Sequence, residues 1–478
     1  QAAADQRQYW HLVQQPIPGF RHDFFIREAF HTGEDLKLHY VVSTDRQPSP
    51  PSSPNIAIFI HGFPDSYTLW TQIIASERLK DYTCIAVDLP GYGGSDDLPE
   101  YNAQNVLDTM AFFILEMRKR YLKAGGRVVL VTHDWGAVIG ARLASEAPEL
   151  AERWILMSGL IVTIDDWNAA YWQVLAFLRQ PFQLKLRYPL KLHHLSVAWG
   201  ITAPLRSQLS SSFYVFVLTL PRPLAGWFAT FGNFWFLRLL HLTKTGRLKP
   251  DGKLSTPFTP KQSADHIAQS AGPGLWELQA TLTPLSRGGR GYEADAALRI
   301  PHLGMREKIK IYRDGLLWGD WDKSFHLRFK LGQPCEPWPA PSSSTASASA
   351  SAPHFQPPTP PTSEPESDDK IGHEALRGRI KSPATIIMGG EDPAFELKMV
   401  LTGVEDYLPP RSQVVVFEKG GHWLPAEKVS AEMIEHVVLW ALAGEEVEFR
   451  ECLAGFEDWE MLVDKKDRGK LSFLQSRS

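Results

Sequence analysis

Short apolar runs alternate with amphipathic segments along the first third of the chain. Four of these runs are too short for helices and predict strands, the last three of them buried on both faces. They are Leu38–Val42, Ile56–Ile60, Thr83–Val87 and Val128–Val131. The segments Val106–Leu122 and Gly136–Glu146 carry apolar residues at helical spacing and predict helices. Alternating strands and helices indicate a mostly parallel sheet with helices on both faces.

The same alternation returns near the end of the chain. Here Ala384–Met388 and Gln413–Phe417 predict strands, and Ala431–Leu442 predicts a helix. The segment between the two blocks does not alternate and is rich in helical patterns, so we expect a lid above the sheet. The predicted parts are a core of 1–158 and 380–443, a helical lid of 159–333, a disordered segment of 334–379 and a C-terminal tail of 444–478.

Two stretches of the insertion between the blocks have unusual composition. Between Pro334 and Asp369 there are ten prolines and eight serines, which cannot bury enough apolar surface to offset ordering and predict disorder. Phe213–Leu237 is the most apolar segment, but Pro221 and Gly226 interrupt it, whereas a membrane helix needs ~20 continuous apolar residues. We therefore interpret it as a lid lining, with contact to a membrane surface as the alternative.

Composition narrows the classes of function. Hydrophobic residues make up 44% and charged residues 22% of the 478, ordinary values for a globular protein. The 50 basic and 54 acidic side chains leave a net charge of −4, so the overall charge argues against binding to nucleic acid or to an anionic membrane. Three cysteines are too few for a disulfide framework or a zinc cluster. We expect a cytoplasmic location; the chain begins at Gln1, so any cleaved targeting segment lies outside it.

The segment Val129–Ala137 predicts a strand that turns sharply into a helix. Small residues at Gly136 and Ala137 allow the helix to approach the strand closely, which is the geometry of a nucleophile elbow. Asp134 takes the position that usually holds a serine, and the chain contains no Gly-x-Ser-x-Gly. Asp134 could instead merely cap the helix, but capping does not account for the small residues that follow.

The segment His61–Asp65 directly follows a predicted buried strand. A loop in this place can aim the Phe63 backbone N–H towards the elbow. With the N–H of Trp135 it would form an oxyanion hole of two donors.

Two further loops after predicted strands carry an acid and a histidine. Asp392 follows Gly389 and Gly390 and can orient a histidine, although Glu391 and Glu396 compete for that role. His422 follows Gly420 and Gly421. The chain order of nucleophile, acid and histidine is the one expected of α/β-hydrolases.

Together these motifs resemble the epoxide hydrolase family of the α/β-hydrolase fold. The matching segments are His61–Pro64, Asp88–Asp96, His133–Gly136 and Gly421–Trp423. The resemblance implies an α/β class with a mostly parallel, doubly wound sheet and a helical lid inserted between the nucleophile and acid segments. It also implies hydrolysis of a small apolar epoxide to a vicinal diol, with water as the second reactant and no metal or organic cofactor.

The resemblance further implies a role for each site residue. In that family two lid tyrosines hold the epoxide oxygen, and here Tyr214 and Tyr312 match them. Asp134 would attack the epoxide carbon and form an ester. His422, held by Asp392, would activate water against that ester, while the amides of Phe63 and Trp135 would stabilise the oxyanion.

Two alternatives use the same fold. A haloalkane dehalogenase shares the Asp, His and acid but needs donors for a halide; Trp135 could be one, yet dehalogenases commonly place Asn where this chain has Phe63. A non-catalytic ligand-binding protein is the other alternative. The complete set of Asp134, Asp392 and His422 argues against it.

Overall fold

Nine strands form one sheet in the part of the chain that this computed structural model describes. The described residues are 19–27, 35–44, 50–160, 206–208, 212–248, 253–259, 262, 266, 270, 305–317, 319–332 and 378–465. The chain divides into two compact units, one of 1–322 with 378–478 and one of 323–377, and the sheet belongs to the first. Of the segment predicted to be disordered, 334–377 lies outside the described residues.

The sheet has six parallel strands at its centre and antiparallel strands at both edges. The strands are β1 Arg21–Arg27, β2 Leu36–Val42, β3 Ile56–Ile60, β4 Thr83–Val87, β5 Val128–His133, β6 Arg153–Met157, β7 Ala384–Gly389, β8 Gln413–Phe417 and β9 Trp459–Asp464. Their order across the sheet is β1-β2-β4-β3-β5-β6-β7-β8-β9, and the parallel run extends from β4 to β8. This arrangement confirms the predicted α/β class with a mostly parallel sheet.

Three of these strands were not predicted from the sequence. β6 begins at Arg153, and a charged residue is atypical of a buried strand. Its guanidinium is nevertheless buried, because it pairs with Glu445 from the far end of the chain. β9 lies in the segment predicted as a tail and pairs with β8, so the sheet extends past residue 443. The irregular, partly polar β1 pairs with β2 at the other edge.

Helices pack on the sheet and form the lid. In the first unit they are α1 Thr71–Ile74, α2 Ala103–Tyr121, α3 Trp135–Glu146, α4 Phe213–Leu218, α5 Arg222–Lys244, α6 Met305–Lys308, α8 Leu397–Leu401, α9 Lys428–Leu442 and α10 Phe449–Cys452; the second unit contains α7 Phe325–Leu331. The apolar side of α9 packs against the centre of the sheet through residues such as Ile434 and Val438. Each fully buried aliphatic side chain of this kind contributes about 1.5–3 kcal/mol.

The described lid consists of α4, α5 and α6, the last followed by a 3-10 turn over Ile309–Tyr312. α4 and α5 are separate helices because Pro221 lacks the N–H that a continuous helix would need. In the second compact unit, α7 begins after Ser324, whose side chain accepts a hydrogen bond from the N–H of Leu327. Within the ranges given above, no helix combines the length and the apolar character that crossing a membrane requires.

Candidate active site

The carboxyl ends of β3, β5, β7 and β8 lie along one edge of the sheet. Parallel strands end at the same edge, so the loops that follow them come together in space. These are the four loops that the sequence singled out, and they bring Phe63, Asp134, Asp392 and His422 into one site. The lid adds Tyr214 and Tyr312 to it.

Asp134 occupies the turn between β5 and α3. Its backbone has φ 54° and ψ −121°, a conformation that costs a non-glycine residue about 1–3 kcal/mol and clusters at functional sites. Its side chain makes no capping hydrogen bond to α3 among the described residues, so a capping role does not explain it. The carboxylate instead faces the amide of Phe63 and the ring of His422.

Two glycines allow the elbow to approach the loop after β3. A Cβ at Gly62 would lie 2.2 Å from Asp134 Oδ1 and 2.6 Å from the Trp135 nitrogen. A Cβ at Gly136 would lie 2.5 Å from the Ile60 carbonyl oxygen. Side chains cannot come this close to backbone atoms, so glycine at both positions is a condition for the elbow geometry.

The amide predicted for the oxyanion hole contacts Asp134. Phe63 N–H donates a 2.6 Å hydrogen bond to Asp134 Oδ1. Trp135 is the first residue of α3, where backbone N–H groups have no partner inside the helix. The Trp135 nitrogen lies near Asp134 Oδ1, because a Cβ at Gly62 would contact both atoms. Donors in this place suit a negative charge that develops on the aspartate's own oxygen.

His422 and Asp392 form a buried pair beside Asp134. The Nδ1 atom of His422 lies 2.9 Å from Asp392 Oδ2, and its Nε2 atom lies 3.6 Å from Asp134 Oδ2. Among the described carboxylates of this loop, Asp392 is the one that contacts the imidazole, whereas Glu391 is exposed and Glu396 precedes α8. The geometry therefore distinguishes Asp392 from the two glutamates that the sequence left as competitors.

The two carboxylates control the charge of His422. Burial disfavours the protonated ring, but Asp392 and Asp134 outweigh burial and raise the pKa of His422 from 6.5 to about 10. The ring is therefore an imidazolium at neutral pH. Its neighbour His133 behaves in the opposite way, because burial and the charge on His422 lower the pKa of His133 to about 4. His133 donates from Nε2 to the backbone oxygen of His422 at 2.7 Å.

Tyr214 on α4 and Tyr312 at the end of the 3-10 turn line the same cavity as Asp134. The ring of Tyr312 packs edge-on against the rings of Phe63 and Trp135, with centroids 5.1 and 4.9 Å away. The two tyrosine rings are 6.0 Å apart and their hydroxyls share a hydrogen bond. Burial and the charge on Asp134 raise the pKa of both phenols above the ordinary value of 10, so both are protonated at neutral pH.

One cavity of about 480 Å³ is lined by Phe63, Asp134, His422 and both tyrosines. The rest of its wall is mainly apolar. The apolar lining includes Phe213, Val217, Phe228, Trp235, Phe236, Leu239 and Leu240. A pocket of this size, with a few polar groups in an apolar wall, can hold a small apolar molecule with a single reactive centre.

A buried ion pair connects the lid to the loops that carry Phe63 and His422. Lys244, the last residue of α5, places its Nζ 2.5 Å from Asp65 Oδ1, in the loop that carries Phe63. The other oxygen of Asp65 accepts a 2.9 Å hydrogen bond from the indole of Trp423, which follows His422. Burial opposes the charge on Asp65, but Lys244 outweighs it and lowers the pKa of Asp65 from 3.8 to about 2.

Replacing Lys244 with Met should lower the free energy of unfolding by about 3–5 kcal/mol, because Asp65 loses its cationic partner while still buried. The pKa of Asp65 is depressed, so the stabilisation should be complete above about pH 4 and should disappear as the pH falls through 2. Urea unfolding of the parent and the variant between about pH 2 and pH 4 measures the stabilisation. Lys80→Met, which removes an exposed pair with Glu77, is the control and should cost less than about 1 kcal/mol.

Several contacts of the site carried no signal in the sequence. His133 and Asp65 lie within the motifs His133–Gly136 and His61–Asp65. Their contacts in the site are nevertheless to residues distant in the chain, His422 and Lys244. Arg313 follows Tyr312 and donates to the carbonyl oxygens of Leu218 and Leu220, at the end of the helix that carries the other tyrosine. This side chain fixes the two tyrosine-bearing elements against each other.

Comparison with known proteins places these features in context. A family model described as "Alpha/beta hydrolase family" matches residues 57–305. The chain is similar to Epoxide hydrolase 2 of Caenorhabditis elegans, with 28% identity over 129 residues that make up 26% of this chain and 32% of that protein. It is 30% identical over 125 residues to Epoxide hydrolase 3 of Mus musculus, 26% of this chain and 31% of that protein. These matches span about a third of each relative's length.

A solved structure, the Cif epoxide hydrolase from Acinetobacter nosocomialis, is similar over 91% of this chain and 95% of its own. The sequence identity is 15% and the TM-score 0.48.

Proposed function

The chain belongs to the alpha/beta hydrolase family, and we propose that it hydrolyses small apolar epoxides to vicinal diols. One observation carries the proposal. The elbow holds a carboxylate, Asp134, which shares its cavity with two protonated phenols and lies beside a histidine. An aspartate nucleophile suits attack at a saturated carbon, where the leaving oxygen needs a proton donor. The similarity to proteins named epoxide hydrolases supports the same reaction.

In the first half-reaction, Asp134 attacks one carbon of the epoxide and forms an ester. Its Oδ1 is held by Phe63 N–H, so Oδ2 is the oxygen free to attack. The C–O bond of the ring breaks, and the leaving oxygen takes a proton from Tyr214 or Tyr312. Both hydroxyls are available for this transfer because both are protonated at neutral pH.

In the second half-reaction, water attacks the carbonyl carbon of the Asp134 ester. Esterification removes the charge of Asp134, one of the two carboxylates that keep His422 protonated, so the pKa of His422 falls. The proton that His422 releases restores the phenol. Neutral His422 then takes a proton from water, while Phe63 and Trp135 amides stabilise the negative charge on Oδ1. As the bond between the carbonyl carbon and the substrate oxygen breaks, the leaving alkoxide takes the second proton of the water from the new hydroxyl. The diol is released, and the carboxylate and the imidazolium are regenerated.

Product analysis against paired substrates tests the proposal. The protein should form diols from aryl, terpene or fatty-acid epoxides and should release no halide from alkyl halides of the same shape. Faster halide release than diol formation would favour a haloalkane dehalogenase instead. Tight binding of epoxides without turnover would favour a non-catalytic binding protein.

Tyr214→Phe and Tyr312→Phe should each slow ester formation by ~10²-fold, the usual scale for a positioned acid. Each substitution removes one hydroxyl that faces the ring oxygen and leaves the packing of the phenyl ring in place. Hydrolysis of the preformed ester should be nearly unaffected, since that step uses His422. Rapid-quench kinetics separates the two steps, and Tyr92→Phe, a buried tyrosine outside the cavity lining, is the control. Parental rates in both lid variants would place the proton donor elsewhere.

A further inference from the structure

The lid exposes an unusual number of large apolar side chains on one short stretch. Its members, here called the lid face, are Phe213, Phe216, Leu220, Leu224, Trp227 and Trp235, between 43% and 66% exposed. Trp227, Phe231 and Trp235 follow each other at intervals of four residues on α5. The Trp227 and Phe231 rings stack with centroids 4.7 Å apart, and the Phe231 and Trp235 rings are tilted with centroids 5.8 Å apart. Apolar patches of this kind on a protein surface mark sites of interaction.

The charge of the same stretch is one-sided. Residues 206–250 contain no Asp or Glu, although the whole chain has more acidic than basic residues. The basic residues of the stretch are Arg206, Arg222, Arg238, Lys244, Arg247 and Lys249. Lys244 adds no charge to the surface, because it is buried and paired with Asp65. Beside Trp227 there is a groove of about 590 Å³ lined by Arg222, Arg313 and Lys310. Lys310 is paired with Asp97, and Glu307 is an acid on the groove wall, so Arg222 and Arg313 supply its positive charge. Aromatic residues interleaved with cations characterise helices that lie in the interface of an anionic bilayer.

We propose that the lid face docks the protein on an anionic membrane surface. The charge favours this partner over a second copy of the chain, because two copies would bring cationic faces together. Trp and Phe side chains suit the headgroup level of a bilayer, where one part of the ring is apolar and the rest is wet. The docking is peripheral, with α4 and α5 lying along the surface.

The lid face also adjoins the active-site cavity. Phe213 and Trp235 belong to both. A bilayer in contact with these residues lies against the cavity wall, and an apolar substrate dissolved in the bilayer reaches Asp134 by a short path. This route for the substrate rests on the proposed function, whereas the docking itself does not.

Vesicle flotation with the full chain tests the docking without any assay of activity. The parent should float with phosphatidylcholine vesicles that contain phosphatidylserine and should stay at the bottom with phosphatidylcholine alone. The double variant Leu224→Ser/Trp227→Ser should bind the anionic vesicles at least ~10-fold more weakly, because two apolar groups no longer leave water. Arg222→Glu should weaken binding by more than ~5-fold, since it removes one cation and adds an anion.

The control is Val429→Ser/Val447→Ser, which removes two equally exposed apolar side chains outside the lid. It should float like the parent, and thermal melts should match for all variants because no buried group changes. Equal flotation of the parent with both vesicle types, or parental flotation of Leu224→Ser/Trp227→Ser, would overturn the proposal. So would self-association of the parent that this double variant abolishes, since a second copy would then occupy the lid face.

Discussion

Asp134→Ala is expected to lower the turnover of epoxides by at least ~10⁴-fold, the scale seen when a covalent nucleophile is removed. The physical reason is that no other carboxylate among the described residues combines an oxygen in contact with the Phe63 amide and a second oxygen facing His422. The measurement is diol formation under single-turnover conditions. Glu391→Ala, which removes an exposed carboxylate of the neighbouring loop, is the matched control and should retain the parental rate.

Isotope labelling identifies the oxygen donor directly. With enzyme in excess and heavy-oxygen water, the first turnover should leave the label in Asp134. The reason is that water attacks the carbonyl carbon of the ester, so the diol takes the aspartate's own oxygen. Label in the first-turnover diol would mean that water attacks the epoxide directly. Asp134 would then be a general base or a structural residue.

Much of the site was predictable because its residues follow buried strands. Ile56–Ile60, for example, is wholly apolar and short, which identifies a central strand, and the loop after it carries Phe63. The ends of parallel strands meet by topology, so strand identity alone brings Phe63, Asp134 and His422 to one edge. The structure agrees with this reasoning at each of these positions. Their catalytic roles remain predictions.

Contacts that depend on pairing between distant segments could not be predicted. Lys244 ends a lid helix and Asp65 stands in a core loop, and nothing near either residue signals the other. Arg153 is similar, since a buried strand beginning with a cation is plausible only once Glu445 supplies a carboxylate. A local sequence pattern indicates which residues are buried and how apolar residues repeat along the chain. A buried ion pair, by contrast, depends on which distant segments the tertiary fold brings together.

The lid tyrosines form an intermediate case. No periodicity or spacing distinguishes Tyr214 from the aromatic residues around it, and only resemblance to a family selected it together with Tyr312. Their joint position in the cavity that contains Asp134 depends on Arg313, which donates to the carbonyl oxygens of Leu218 and Leu220 at the end of the Tyr214 helix. Such a contact is specified by one side chain and two backbone atoms, and it leaves no trace in hydrophobic pattern.

His422→Gln should stall the second half-reaction and cause the ester to accumulate. Asp134 can still attack the epoxide, but no base remains to take a proton from water, and hydrolysis should slow by ~10²–10⁴-fold. Intact-protein mass spectrometry should show a mass increase equal to one substrate molecule, absent from Asp134→Ala. Full steady-state activity without an adduct would remove His422 from the reaction.

The pH dependence of ester hydrolysis gives the second test of His422. In the free protein, Asp392 and Asp134 raise the pKa of His422 to about 10, so the ring cannot act as a base at neutral pH. Esterification neutralises Asp134 and lowers that pKa, and hydrolysis should then slow as the pH falls through the new, lower value. This fall in rate is the acidic limb of the pH–rate profile. Asp392→Asn removes the other carboxylate, so it should move the acidic limb to still lower pH, and the loss of rate should be milder than in His422→Gln. A limb that stays in place in Asp392→Asn would mean that Asp392 does not set the charge of the histidine during hydrolysis.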